Sequence, residues 1–208
     1  MMSLEKVTAF ITRDLPTGRE LLVFQHPTAG IQLPAGTVEL GESAEAALFR
    51  EVSEETGLTA VEVVRHLCTV IQPLEPEERL LTKDTVLQSS PGDEGTLHRA
   101  IILKRGAGVR VIGSEDLYDR VVFPEYQTRD GEVVQVSART GWIPRKHLTN
   151  DVARHMYHLR TNAPTPHHWT QSADDHLFSL FWVSLREDPG LIPNQDEWYK
   201  LVREQLRN

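Results

Sequence analysis

The sequence predicts an α+β protein, and three observations indicate this class. Two β-branched and aromatic runs, residues 7–12 and 20–25, flank a turn that contains Pro and Gly, which predicts a β-hairpin. Residues 44–56 are rich in Ala, Leu and Glu, as expected of a helix. Near the other end, residues 175–183 predict a buried strand and residues 196–206 a short amphipathic helix. Strands and helices therefore share the chain.

Composition bounds the size and the class of the protein. With 208 residues, of which 39% are hydrophobic and 25% charged, the chain can hold one sizeable domain with an insertion, or two small domains. A formal net charge of -8 argues against binding to nucleic-acid polymers or to acidic membranes. Cys68 is the single cysteine, which excludes an intrachain disulfide and a CxxC motif. Neither a signal peptide nor a run of about 18 apolar residues is visible, so we expect a soluble, cytoplasmic protein.

Turn and cap residues place the elements around the central helix. Residues 31–33 predict a short strand that ends at a Pro-Ala-Gly loop. Ser43 is a suitable N-cap, and Gly57 is a suitable residue for the helix to stop on. Residues 60–73 resemble a further strand, which a polar loop follows.

A β-rich insertion, residues 77–165, is predicted to separate a first part, residues 1–76, from a final part, residues 166–208. Its β-like runs are residues 98–103, 109–112, 120–123 and 132–137, the last of which follows a hairpin-favouring Asp130-Gly131. A helix over about residues 150–160 is predicted to close it. The role of the insertion is open between shaping a substrate pocket, forming a dimer interface, binding a protein partner and decorating the surface.

The central helix carries an unusual density of like charge. Glu51, Glu54 and Glu55 fall within about 100° of one another at 3.6 residues per turn. Neighbouring carboxylates on one helix face repel each other, so this arrangement needs another explanation than helix stability. A divalent cation supplies one, because hard oxygen ligands at close quarters are what Mg²⁺ or Mn²⁺ requires. Arg50, one turn before Glu54, can pair with it and hold it in place.

These residues belong to a longer pattern. Gly36, Glu42 and the run REVSEETGL at residues 50–58 resemble the Nudix box, GX5EX7REUXEEXGU with U a bulky aliphatic residue, at every specified position. The resemblance implies the Nudix fold, a mixed β-sheet between helices, with the box forming a loop, a helix and a loop. It also implies hydrolysis of a nucleoside diphosphate linked to another moiety, with Mg²⁺ or Mn²⁺ bound.

The resemblance assigns roles to individual residues. It implies that Glu51, Glu54 and Glu55 are metal ligands, and that the backbone carbonyl of Ala35 or Gly36 is another. Arg50 and Glu42 are implied to orient these ligands, which makes Glu54, Glu55, Arg50 and Glu42 the expected catalytic set. Glu39 and Glu45 lie outside the specified positions, so we expect them to be solvated.

Residues outside the box are candidates for substrate contact. Pro73 stands sixteen residues after Gly57, a spacing that resembles the downstream proline of ADP-ribose pyrophosphatases; an ordinary loop proline is the alternative. Trp169, Asp174 and Asp175 lie in a polar cluster with three histidines, which suggests a loop that supplies a stacking ring or a general base. A packed Trp at the start of a strand is the alternative there, and Glu78 is a further candidate base.

Two histidines fall on the helix predicted over residues 150–160. His155 and His158 are three residues apart, which is compatible with a zinc site. No Cys or matching pair stands nearby in the sequence, so we interpret them as a surface pair.

The expected function is therefore a Mg²⁺-dependent pyrophosphohydrolase that acts on a small-molecule nucleotide, either a nucleotide sugar such as ADP-ribose or a modified nucleoside triphosphate. The alternative is a regulatory Nudix module that binds a nucleotide without cleaving it. Such modules often lose box carboxylates, and this chain keeps all of them. Because members of the family are often dimers, the resemblance also leaves a homodimer open.

Overall fold

The structure is a computed structural model that describes residues 3–93, 101–129, 132–173 and 176–207. Its elements along the chain are β1 (Leu4–Leu15), β2 (Gly18–His26), β3 (Gly30–Gln32), β4 (Ala35–Thr37), α1 (Ala44–Thr56), β5 (Glu62–Pro73), β6 (Glu78–Leu81), β7 (Thr85–Leu87), β8 (Ile101–Leu103), β9 (Gly108–Glu115), β10 (Tyr118–Arg129), β11 (Glu132–Pro144), a 3-10 turn (Arg145–His147), β12 (Leu148–Thr149), β13 (Asp151–Arg160), β14 (His168–Ala173), β15 (His176–Ser184) and α2 (Gln195–Arg207). None of the helices in these ranges is long and apolar enough to cross a membrane.

The chain forms two compact units. One contains residues 5–70 and 154–208, and the other contains residues 1–4 and 71–153. The second of these bodies interrupts the first in sequence. The domain bounds predicted from the sequence, 1–76, 77–165 and 166–208, stay a prediction.

The first unit is built on one large sheet. Among the described residues, its strands follow the order β14-β15-β2-β1-β13-β5, with β3 paired to β2 and β4 paired to β1. The predicted hairpin is present as β1 and β2, which pair antiparallel with Thr12 opposite Leu21.

Each face of this sheet is covered by a helix. Val7, Ala9 and Ile11 of β1 pack into one core with the α1 residues Ala47, Leu48 and Val52. Phe10, which lies between Ala9 and Ile11 in sequence, belongs to the core on the α2 side. Successive side chains of a strand point to opposite faces, so a single strand supplies both cores. This sandwich of helices around a sheet is the α+β arrangement that the sequence predicted.

The helix predicted over residues 150–160 is wrong, because Asp151–Arg160 form the inner strand β13. Met156 packs on the α2 side and Leu159 on the α1 side. With both faces covered, apolar residues occur on both, and the period of 2 that identifies a strand is lost. His155 and His158 also do not form a surface pair: they point to opposite faces, and His158 is fully buried.

The second unit is β-rich, as predicted for most of this part of the chain. Within the described residues it contains a sheet of order β11-β10-β9-β6-β12 and a small sheet of β7 and β8. Its own core is Leu81, Leu103, Val109, Val121, Ile143 and Leu148. The predicted Asp130-Gly131 turn and residues 98–100 of the first predicted run lie outside the described residues.

Candidate active site

Helix α1 begins and ends at the residues that the sequence indicated. Ser43 is its N-cap, and its Oγ accepts a hydrogen bond from the Ala46 amide at 3.1 Å. At the other end Gly57 has a φ of 72°, a left-handed conformation that favours glycine, and its N–H donates to the Ser53 carbonyl. The two caps fix which turn of the helix carries each glutamate.

The three glutamates meet at one pocket. Glu51, Glu54 and Glu55 line a cavity of about 420 Å³ together with three residues of β14, Gln171, Ser172 and Ala173. Their environments differ: the side chain of Glu54 is 55% exposed and that of Glu51 14%, while Glu55 is buried. The pocket therefore combines one solvent-facing carboxylate with two that are largely enclosed.

Arg50 links these carboxylates to the loop before the helix. Its Nε and Nη2 donate to the two oxygens of Glu42 at 3.1 and 3.0 Å, and Nη2 also donates to the Thr37 carbonyl at 3.0 Å. Its Nη1 donates to Glu51 at 2.8 Å and to Glu54 at 3.2 Å. A guanidinium held by a bidentate carboxylate has a fixed plane, so its remaining donors point in a set direction.

The charges in this network reinforce one another. Hydrogen bonds from Arg50, and then from the Glu39 amide, lower the pKa of Glu42. In return the hydrogen bonds to Glu42, and then those to Glu51, raise the pKa of Arg50. Arg50 and Glu42 are therefore both charged throughout the neutral range.

The backbone of β4 closes the other side of the site. The Ala35 amide donates to Glu55 Oε2 at 2.8 Å. A Cβ at Gly36 would lie 1.8 Å from the carboxyl carbon of Glu51, a distance that no real contact allows. Glycine is thus required here for close approach of backbone and carboxylate, and the two backbone carbonyls that the sequence suggested as ligands belong to this same strand.

The donor set fits a hard divalent cation in type, since it consists of carboxylate oxygens beside backbone. Among the described residues, however, no three His, Cys, Asp or Glu side chains converge closely enough to hold a metal ion as they stand. Arg50 engages Glu51 and Glu54, and the Ala35 amide engages Glu55.

A larger cavity lies in the other unit but does not have this chemistry. It measures about 1080 Å³ and is lined by β6, β9, β10 and β11. Its Glu125 is paired with Arg139, and Arg79 Nη1 donates to two backbone carbonyls. By size alone this cavity would be the candidate active site, whereas the clustered carboxylates favour the pocket on α1.

Three of the other predicted residues lie on three different strands. Trp169 donates its indole N–H to the Thr56 carbonyl at 2.8 Å, and its ring packs against the α1-side core, in agreement with the packed alternative. Pro73 ends β5, and Glu78 begins β6. Asp174 and Asp175 lie outside the described residues.

Sequence reasoning missed the β14 wall of the pocket. Gln171, Ser172 and Ala173 carry no charge and match no motif. The one available signal was the period of 2 along this strand, which places Trp169, Gln171 and Ala173 on the same face.

Comparison with known proteins agrees with the box. The family model described as NUDIX domain matches residues 4–96. The chain therefore contains a region that matches the NUDIX domain. The match to the NUDIX domain is confined to these residues, which include the whole box.

Solved structures show weaker similarity. The NUDIX domain of Shewanella oneidensis NrtR complexed with ADP ribose has a TM-score of 0.48 at 13% identity, over 100% of this chain and 89% of that chain. The E. coli dihydroneopterin triphosphate pyrophosphohydrolase has a TM-score of 0.48 at 12% identity, over 100% and 98%. A C. elegans Ap4A hydrolase binary complex has a TM-score of 0.42 at 13% identity, over 88% and 81%. No curated protein matches the sequence significantly. These similarities are too weak to indicate a substrate.

Proposed function

We propose that this protein hydrolyses a nucleoside diphosphate linked to another moiety, with Mg²⁺ or Mn²⁺ held by Glu51, Glu54 and Glu55. The observation that carries this proposal is the meeting of these three side chains at one pocket. Three carboxylates that line one pocket repel one another, and a positive charge between them offsets that repulsion. Arg50 supplies part of that charge, and a divalent cation beside the pocket supplies the rest. The carbonyl of Ala35 or Gly36 is a further proposed ligand.

The metal, when bound, would neutralise the pyrophosphate, polarise the attacked phosphorus and lower the pKa of the attacking water. The chain's own residues hold the ligands in place. Glu42 and the Thr37 carbonyl fix the Arg50 guanidinium, which leaves Nη1 to orient Glu51 and Glu54. Substitution of either Arg50 or Glu42 is therefore expected to disorder the three proposed ligands, although all three stay in the chain.

The proton balance of the reaction also points to the helix. Water attacks one phosphorus, the anhydride P–O bond breaks, and one proton of the water must leave to a base. Glu54 is the most exposed of the three carboxylates, so water reaches it most easily. Glu55 is buried and accepts a hydrogen bond from the Ala35 amide, so water reaches it less easily. We therefore assign proton acceptance to Glu54.

The substrate class is proposed as a nucleotide sugar such as ADP-ribose or a modified nucleoside triphosphate. Pro73, Trp169, Asp174 and Asp175 remain predictions for substrate contact, and the homodimer remains a prediction. The products separate the two substrate classes. A nucleotide sugar yields a nucleoside monophosphate and a sugar phosphate, whereas a triphosphate yields a nucleoside monophosphate and pyrophosphate.

The test is hydrolysis of a panel of both substrate classes with Mg²⁺ or Mn²⁺, with and without a chelator. We expect chelation to abolish turnover and Glu54→Gln to reduce kcat/KM by at least about 100-fold, the upper range for residues that tune a metal site. Glu45→Gln is the matched control, because Glu45 is exposed on the same helix and undergoes the same loss of charge. Activity that survives both chelation and Glu54→Gln would contradict the proposed mechanism. Tight nucleotide binding without turnover would instead indicate a regulatory module.

A further inference from the structure

Two side chains of β14 close the C-terminal end of α1. Gln171 Nε2 donates to the Glu54 carbonyl at 3.0 Å, and Trp169 Nε1 donates to the Thr56 carbonyl at 2.8 Å. The two residues are separated by one position, so they project from the same face of the strand. The last carbonyls of a helix have no partner within the helix. Strand β14 therefore provides donors that the helix itself lacks.

This end of α1 needs such donors more than an ordinary helix end does. The carbonyl end of a helix carries a partial negative charge, which disfavours nearby anions. Glu54 and Glu55 both lie in the last turn, where α1 has no basic residue. Donors from β14 that reach the terminal carbonyls offset part of that charge at the turn where two proposed metal ligands are attached.

Gln171 is also joined to the site itself. It lines the same pocket as the three glutamates. A Cβ at Gly57 would lie 3.0 Å from Gln171 Oε1, closer than nearly all real contacts, so the glycine that ends the helix also leaves room for this amide. The residue therefore donates to the carbonyl of Glu54 and lies near the glycine that ends the helix.

We infer that Gln171 and Trp169 are positioning residues, which hold the last turn of α1 so that Glu54 and Glu55 point toward one metal ion. The inference rests on the metal site proposed above. The two residues act through the backbone of the helix, at the carbonyls of Thr56 and Glu54. Their effect should consequently fall on metal affinity more than on the rate at saturating metal.

The test measures Mn²⁺ binding directly, by the electron paramagnetic resonance signal of free Mn²⁺ without substrate. Gln171→Met keeps the length of the side chain and removes its donor. We expect this variant to weaken Mn²⁺ binding by about 3- to 10-fold. This loss is at or below the low end of the range for side chains that hold a metal ligand directly, because Gln171 holds the backbone and not a carboxylate. At saturating Mn²⁺, kcat should stay within about twofold of wild type.

A control separates positioning from mere stability. Val202→Ala creates a small cavity under α2, where Val202 is fully buried and packs in the opposite core. It should lower the unfolding midpoint in urea while leaving Mn²⁺ affinity within about twofold of wild type. If Val202→Ala weakens Mn²⁺ binding as much as Gln171→Met does, the positioning role is overturned.

A second variant keeps the inference decidable if Gln171→Met fails to fold. Trp169→Phe removes the indole N–H and retains an aromatic ring in the core, and it should weaken Mn²⁺ binding in the same direction. Unchanged Mn²⁺ affinity in whichever of the two variants folds overturns the inference. That result differs from failure of the proposed function, which would appear as absent Mn²⁺ binding in the wild type or as unaltered binding in Glu54→Gln.

Discussion

The two helices that cover the sheet are equally long but differ in the charge of their last turn. Each has 13 residues and buries an apolar side, with Leu48 and Val52 on α1 and Trp198 and Val202 on α2. Helix α2 places acidic residues in its first turn and a basic residue in its last, as the helix dipole favours. Helix α1 also has an acidic residue in its first turn, but its last turn contains Glu54 and Glu55 and no basic residue.

This difference separates a structural helix from a helix that carries chemistry. Local rules of stability are followed where an element only has to pack, and they are broken where a function requires it. Substitutions on α2 should therefore reduce stability and leave metal affinity unchanged. Substitutions at the end of α1 should reduce metal affinity and have little effect on stability. The predictions below test this division from the largest effect to the smallest.

Trp198→Ala should have the largest effect on stability. Trp198 is nearly buried, and the Arg154 guanidinium lies 4.0 Å from its ring centroid, so its removal leaves a cavity beside a buried cation. We expect the free energy of unfolding to fall by about 3–5 kcal/mol, measured by urea denaturation. Mn²⁺ affinity of the folded fraction should stay within about twofold. A large loss of Mn²⁺ affinity at full folding would break the division between the helices.

His158 should make the α2 side of the sheet sensitive to acid. Burial, and then the nearby Arg19, Arg160 and Arg65, lower the pKa of His158 to about 4, while Asp14 acts in the opposite direction. Its Nε2 pairs with Thr12 Oγ1 at 2.8 Å, and its Nδ1 is buried without a partner.

The sign of the pH effect follows from the two pKa values. Below pH 6.5 His158 is protonated in the unfolded chain but stays neutral in the folded chain. The free energy of unfolding therefore falls as the pH drops from 6.5 toward about 4. The loss over this window should be about 3 kcal/mol more than in His158→Gln, because one pKa unit corresponds to about 1.4 kcal/mol. Above pH 6.5 the two proteins should show parallel profiles in urea denaturation, and equal acid sensitivity of both would contradict the prediction.

Gly36→Ala should impair the site rather than the fold. The new Cβ would occupy the position of the Glu51 carboxyl group, which must then move away from Arg50 and from the pocket. We expect a loss of about 100-fold in kcat/KM at fixed Mg²⁺. Gly108→Ala is the matched control, since its Cβ would meet nothing closer than 3.8 Å. Full activity of Gly36→Ala would show that close approach of Glu51 to β4 is dispensable.

The sequence predicted what short-range chemistry decides and missed what distant contacts decide. Ser43 and Gly57 act on the helix that they adjoin, so the bounds of α1 were predicted to the residue. Strand β13 was predicted as a helix because the helices on both faces of the sheet remove the alternation that marks a strand. Gln171 could not be found, since the carbonyl that it holds is 117 residues away and an uncharged amide in a strand forms no motif.

The smallest predicted effect lies at the opposite end of α1 from the carboxylates. Ser43→Ala removes the acceptor for the Ala46 amide, which should lower the free energy of unfolding by about 1 kcal/mol. Ser53→Ala is the matched control, because the same substitution in the helix interior, where alanine is the better helix former, should leave stability equal or slightly higher. The caps at the two ends of α1 then differ in kind. Ser43→Ala should change urea stability and leave Mn²⁺ affinity as in wild type, whereas Gln171→Met should change Mn²⁺ affinity most. A drop in Mn²⁺ affinity in Ser43→Ala as large as in Gln171→Met would mean that the whole helix, and not its last turn, sets the geometry of the ligands.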